Sequence, residues 1–225
     1  MIKLQTTDPP VAQFLTEMAQ FSLPGTTNPY AATKDPECPA RARLRNLELY
    51  LSYFRKNGCP VLLVGEAFGY RGGRVTGIPF TSEWVVINNH RFREWFPEIR
   101  RQYRRCAEPG ALSREATATI AWKTFAEFTH PPCCWNIVPV HPYDQSRGIW
   151  SNRGPTAGEV AAGAPFTQSL IGLLNPGKII AVGRFAGNGL TKMDIEHATV
   201  RHPSQGGATH FRDQILALLQ DIPQI

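Results

Sequence analysis

Apolar positions in this chain follow two rhythms. From Arg41 to Lys56 they recur at Leu44, Leu47, Leu51 and Phe54, the spacing of one helical face, and Gly58 stands where such a helix stops. Val61-Leu62-Leu63-Val64 is an unbroken apolar run, the pattern of a strand buried on both faces of a parallel sheet. Lys178-Ile179-Ile180-Ala181-Val182 repeats it, Cys133 to Val140 reads as a strand leading into a polar loop, and His197 to Val200 as a short further strand. Helical patterns lie between and around these runs. They cover Val11 to Phe21, Ser113 to Phe128 with Ser113 as the cap, and Phe211 to Leu219. Thr156-x-x-Glu159 is a capping-box pattern opening a helix that continues through Leu170, Ile171 and Leu174. Trp84-Val85-Val86-Ile87 reads either as another short strand or as part of a surface insertion, and Ser22 to Pro39 as a loop wrapping the domain. Strands alternating with helices predict a three-layer α/β/α fold around a central, mainly parallel, four-stranded sheet. One domain over 1–225 is expected, with 1–40 supplying an N-terminal helix and the wrapping loop.

Chemistry concentrates where the first strand ends. Gly65-Glu66-Ala67-Phe68-Gly69 sets a carboxylate and exposed amides at the carboxyl edge of the sheet, where open α/β sheets bind ligands. A glycine-rich turn follows, with Gly72-Gly73, Gly77 and Pro79-Phe80. Asn136 lies within the strand-like run Trp135-Asn136-Ile137-Val138, and Asn152-Arg153-Gly154-Pro155-Thr156 comes soon after. His202-Pro203-Ser204 stands near the end. Taken together and in this order, the blocks resemble the motifs of the uracil-DNA glycosylase superfamily. They are most similar to the branch marked by Gly-Glu-Ala-Pro-Gly followed by Gly-x-Pro-Phe. Phe68 departs from that pattern, standing where the branch has proline.

The resemblance implies an enzyme that flips uracil out of DNA and hydrolyses its N-glycosidic bond, leaving an abasic site. Glu66 and His202 become the catalytic candidates, and Ala67, Phe68, Phe80 and Asn136 the substrate-binding ones. Better-known branches handle the water with an Asp or Asn at the position of Ala67, so Glu66 takes that role here; the alternative is a carboxylate that merely caps the loop. Phe80 would stack on the everted base, or else be a core ring. The Asn136 amide presents a donor beside an acceptor, which matches the pairing edge of uracil and mismatches that of cytosine. His202 would donate to the base oxygen that gains charge as the bond breaks. Arg71, Arg74, Arg153, Arg201, Ser204, Gln205 and Gly206 are the expected DNA contacts; the large apolar wedge often found in the last of these loops is missing. Arg91, Arg93, Arg100, Arg101, Arg104 and Arg105 form either a phosphate-contacting surface or, as is commoner for such runs, a solvated face.

Composition narrows the partners. Lys+Arg 24 against Asp+Glu 18 gives +6, which permits a polyanion such as single- or double-stranded DNA without requiring one. The five cysteines are odd in number and lack Cys-x-x-Cys spacing, so a reducing, cytoplasmic and prokaryote-like setting is expected, with no signal peptide, no membrane span and a monomeric chain. The similar branch normally holds an iron–sulfur cluster on four cysteines, but Val140 occupies one ligand position and the early pair is missing, so no metal or cofactor is expected. Three alternatives stay open: a uracil- or abasic-DNA binding protein that turns over poorly, a glycosylase for hypoxanthine or xanthine, and a small-molecule α/β hydrolase. The last is disfavoured by the lack of a Gly-x-Ser-x-Gly elbow.

Overall fold

The computed structural model describes residues 6–31, 39–105 and 112–220; part of the wrapping loop, with Cys38, and Cys106 lie outside the described residues. In chain order the elements are α1 (Pro9–Gln20), β1 (Thr26–Thr27), α2 (Pro39–Asn57), β2 (Val61–Ala67), α3 (Gly73–Thr76), α4 (Glu83–Asn88), α5 (His90–Trp95), α6 (Pro97–Gln102), α7 (Ala116–Phe125), β3 (Cys133–Val138), β4 (His141–Pro142), α8 (Ala157–Leu174), β5 (Lys178–Val182), α9 (Arg184–Lys192), β6 (Ala198–Val200) and α10 (Ala208–Leu219).

The main sheet has the order β3-β2-β5-β6, and every pair in it is parallel. The apolar run Val61–Val64 is central because no polar side chain there needs water on either face. Its residues are at most 5% exposed, and helices flank the sheet as the alternation of elements requires. The capping box at Thr156 forms, with its hydroxyl accepting from Glu159 N and the Glu159 carboxylate accepting from Thr156 N. Asn175 in the left-handed conformation ends α8 and turns the chain into β5.

Two local readings need correction, and one helix lies outside the expected elements. Trp84–Ile87 is helical rather than a strand, lying within α4. Its β-branched residues favour a strand, but tertiary contacts override them. The buried Glu83 carboxylate at the start of α4 accepts from Ser113 N, and Glu83 N donates to Ser113 Oγ. Ser113 is therefore occupied in tying this segment down; α7 begins later, at Ala116, with Glu115 at its cap position. Helix α9 is not among the expected elements: Gly187 and Gly189 depress its propensity, although Ala186 and Leu190 stand four apart on its buried side. Both glycines are there for contact: a Cβ on Gly189 would overlap Ile137, and one on Gly187 would crowd Thr199.

The N-terminal arm is bound to the loops that follow the sheet. Thr26–Thr27 pairs antiparallel with His141–Pro142, Asn28 Nδ2 donates to the Met18 and Phe21 carbonyls, and Tyr30 Oη donates to Gly77 O at 2.7 Å. Helix α8 approaches β3 so closely that a Cβ on Gly163 would meet the Ile137 carbonyl oxygen and the Pro139 ring. Alanine would add about 1 kcal/mol of helix propensity but crowd rigid backbone at a cost of roughly 1–3 kcal/mol. Gly163→Ala is thus expected to lower the urea midpoint, whereas a raised midpoint would show that α8 can retreat freely from the sheet.

Candidate active site

The site is assembled at the carboxyl ends of β2 and β3. Parallel register sets Gly65 beside Asn136, so the chain delivers Glu66 and Asn136 to the same edge. Gly65 leaves room for what converges over it: a Cβ there would stand 2.5 Å from Phe80 Cζ and 2.8 Å from Asn136 Oδ1. Phe80 itself has φ 57, a left-handed backbone that costs a bulky residue on the order of 1–3 kcal/mol. It is held there by the Trp122 indole, whose Nε1 donates to Phe80 O at 3.0 Å, and by Thr81 Oγ1 donating to Ile78 O at 2.7 Å.

Glu66, Ala67, Phe68, Phe80, Asn136 and His202 all line one cleft of about 470 Å3. Asn136 is 4% exposed and its amide makes no hydrogen bond among the described residues, so its donor and acceptor are both left for a ligand. The Glu66 carboxylate borders the cleft beside Gly154, and burial pushes its pKa upward. Phe68 is less accessible than the others. Its ring is buried against Tyr30 and over Gly73, so it forms the base of the loop.

His202 is oriented by its own loop. Its Nδ1 accepts from Ser204 N at 3.1 Å and lies 2.7 Å from Ser204 Oγ. An Nδ1 that accepts a backbone N–H carries no proton, which leaves the proton of the neutral ring on Nε2. Burial first, and the charge of Arg201 second, hold the imidazole below its usual pKa, so the ring is neutral at pH 7. Ser204 and Gln205 join the lining, while Gln205 at φ 53 and Gly206 at φ 76 turn the loop at an exposed tip.

Glu115 also lines the cleft, and no motif marked it. Its carboxylate rests on Gly69 and Gly72, where any side chain would collide with it. No hydrogen bond reaches that carboxylate among the described residues, and burial pushes its pKa up to about 7. The available sequence signal was the pair of bare positions in the glycine-rich turn, which leaves a seat without naming the occupant.

The expected DNA contacts divide. Arg71 is exposed, 5.2 Å over the Tyr70 ring, and Arg201 is exposed beside His202. Arg74 is buried. Arg153 is committed within the protein: it forms a two-point pair with Glu159, at 2.6 and 2.9 Å, and donates to Gly25 O and Tyr143 O. The arginine-rich segment is largely neutralised locally, with Arg91 on Glu94, Arg101 on Glu98 and Arg105 on Glu83. Arg104 and Arg105 lie beyond the end of α6, so the arginines do not share one helix.

An iron–sulfur cluster does not fit the described residues. Val140, the position of one ligand in the similar branch, is a fully buried apolar side chain, and Cys59, Cys133 and Cys134 are buried free thiols. No group of three or more His, Cys, Asp or Glu is placed to hold a metal among the described residues. No described helix is long and apolar enough to cross a membrane.

A sequence profile described as the uracil DNA glycosylase superfamily matches residues 51–221. Among solved structures, the crystal structure of wild-type Pedobacter heparinus SMUG2 aligns with TM-score 0.61 over 94% of this chain and 97% of that one, at 13% identity. That likeness speaks to the fold. Comparison with curated proteins gives no significant match.

The Glu115 carboxyl has a pH consequence. In the unfolded chain it ionises near 4.5, and in the folded one near 7. Between those values the native state holds more protons, so this group lowers stability as pH rises from 4.5 to 7, by at most about 3 kcal/mol, with no further change above. Glu115→Gln should therefore gain stability over the wild type in urea unfolding at pH 8 but gain little at pH 4.5. Parallel stability profiles across that range would refute the shift.

Proposed function

The chain belongs to the uracil DNA glycosylase superfamily, and on that premise we propose that it excises uracil from DNA by hydrolysing the N-glycosidic bond. The observation that carries this reading is the convergence of Glu66, Phe80, Asn136 and His202 on one cleft. Each brings a different requirement of the reaction.

The target uridine leaves the stack and its ring lies on Phe80, whose locked backbone keeps the aromatic face in position. The Asn136 amide pairs with the donor and acceptor on the uracil edge. Cytosine presents the inverse pattern and would leave buried polar groups without partners, a large penalty in a site this enclosed. As the bond from C1′ to N1 breaks, its electron pair passes to the base. The His202 Nε2–H donates to the uracil carbonyl oxygen that gathers this charge. A neutral imidazole suits an anionic leaving group, because a donor is needed and full proton transfer is not.

Water then bonds to C1′ of the oxocarbenium-like sugar, and its proton passes to Glu66. A carboxylate with a raised pKa is the stronger base for that step, and its negative charge opposes the positive charge on the sugar. The base leaves as uracilate and takes up a proton from water, Glu66 returns its own proton to solvent, and the products are uracil and an abasic site. No lysine lines the cleft among the described residues, so this reading includes no Schiff-base cleavage of the strand. A second reading, a protein that binds uracil or abasic DNA with slow turnover, is favoured by Ala67 standing where related branches handle the water.

Single-turnover excision from end-labelled single- and double-stranded uracil oligonucleotides, read by alkali cleavage, separates the two. The wild type should cleave, and His202→Ala should slow it by about 100-fold or more, the usual cost of one transition-state donor. Retained binding without cleavage would favour the second reading. Asn136→Asp should cut uracil excision by at least about tenfold, since a carboxylate replaces the donating N–H. Unchanged excision would remove Asn136 from recognition.

A further inference from the structure

Trp150 is the one exposed large hydrophobic residue among those described, at 57%. It does not hang on a loose loop. Ser151 Oγ donates to Gly148 O at 2.7 Å, Asp144 N donates to Ser151 Oγ, and Gly148 N donates to Asp144 O at 2.8 Å, so the turn that presents the indole is braced. One face of the ring carries a cation: Arg74 Cζ lies 4.6 Å from its centroid.

Arg74 is itself unusual. It is 8% exposed, its Nε donates to Tyr70 O, and no carboxylate pairs with it among the described residues. The charge that acts on it is a second cation, Arg43. A buried guanidinium without a counter-ion is costly unless an anion arrives from outside. Position names the source of that anion. Arg74 follows Gly73 and Trp150 precedes Asn152 by two residues, and both Gly73 and Asn152 line the cleft. The His141 ring lies between the Phe68 carbonyl, 2.7 Å from Nδ1, and the Ile149 carbonyl, 3.1 Å from Nε2, and so packs the Trp150 turn against the loop after β2. The indole and the guanidinium thus stand together just outside two walls of the site. An aromatic face next to a cation matches a base and the phosphate attached to it. The one acid of the turn, Asp144, is engaged by Ser146.

We propose that Trp150 and Arg74 form a subsite for the nucleotide adjoining the everted one, its base stacked on the indole and its phosphate met by the guanidinium. This subsite rests on the reading of the cleft as a DNA-lesion site. It supplies an apolar contact of the kind that the 202–207 loop lacks.

The test is fluorescence anisotropy with a single-stranded oligonucleotide carrying 2′-fluoro-2′-deoxyuridine, whose glycosidic bond resists hydrolysis. Trp150→Ala should weaken binding by about 5- to 150-fold, the range for loss of one stacked base, and Trp150→Phe should keep most of the affinity. Replacing both flanking nucleotides by abasic tetrahydrofuran residues should bring the wild type down to the level of Trp150→Ala and make the substitution silent. Arg74→Met should reduce the slope of log K against log salt by about 0.7, one phosphate contact. Equal binding by wild type and Trp150→Ala would overturn the subsite. So would a loss on substitution that persists undiminished when the flanking bases are gone. Wild-type protein that binds the analogue yet releases no uracil from ordinary deoxyuridine would sink the excision reading, while the binding cycle would still decide the subsite.

Discussion

The cleft exists because nothing projects from Gly65. The edge of a Phe ring and an Asn amide oxygen close over that position at distances no Cβ would permit. Parallel pairing of β2 with β3 fixes which residue of the neighbouring strand stands there, and the left-handed backbone at Phe80 folds the ring back over the same point. The strain at Phe80 is offset by a buried indole N–H on its carbonyl and by the Thr76–Thr81 hydroxyl pair beneath the turn. Sheet register, turn conformation and a missing side chain are therefore one constraint expressed three ways.

A second theme is the treatment of charge. Burial moves Glu66, Glu115 and His202 in the direction of their uncharged forms. Lowering the tendency of these groups to carry charge reduces the cost of enclosing them. The same enclosure magnifies any charge that develops during a reaction. Burial pushes the Arg74 pKa down as well, yet a guanidinium keeps its charge, so a cation is retained near the margin of the cleft.

Much of this was legible in the chain. Apolar runs bounded by glycine and proline located the strands of the main sheet because strands buried on both faces need no alternation. The Thr156 capping box was readable because its two partners are fixed in spacing. What could not be read depended on contacts distant in sequence. Trp84–Ile87 has strand composition but is bound through Glu83 to Ser113, and α9 hides its helicity behind glycines that only the neighbouring strands explain. In the site, Glu66, Phe80, Asn136 and His202 were marked by local motifs. Glu115 was not, because its meaning lies in the two distant glycines it covers. Arg153 shows the converse: a motif position near the cleft can be spent on architecture, here on Glu159 and Gly25.

That last attachment changes how the N-terminal arm should be regarded. Through Gly25, the arm holds the guanidinium that braces the Asn152–Gly154 wall; through Tyr30, it holds the glycine-rich turn; through Thr26–Thr27, it holds the strand next to both. The arm is a keystone set behind the loops that wall the cleft. Trimming the protein back to α2, as one might to tidy a peripheral segment, would unseat two walls of the cleft at once and strip Val11, Phe14, Leu15 and Met18 from the core behind the sheet.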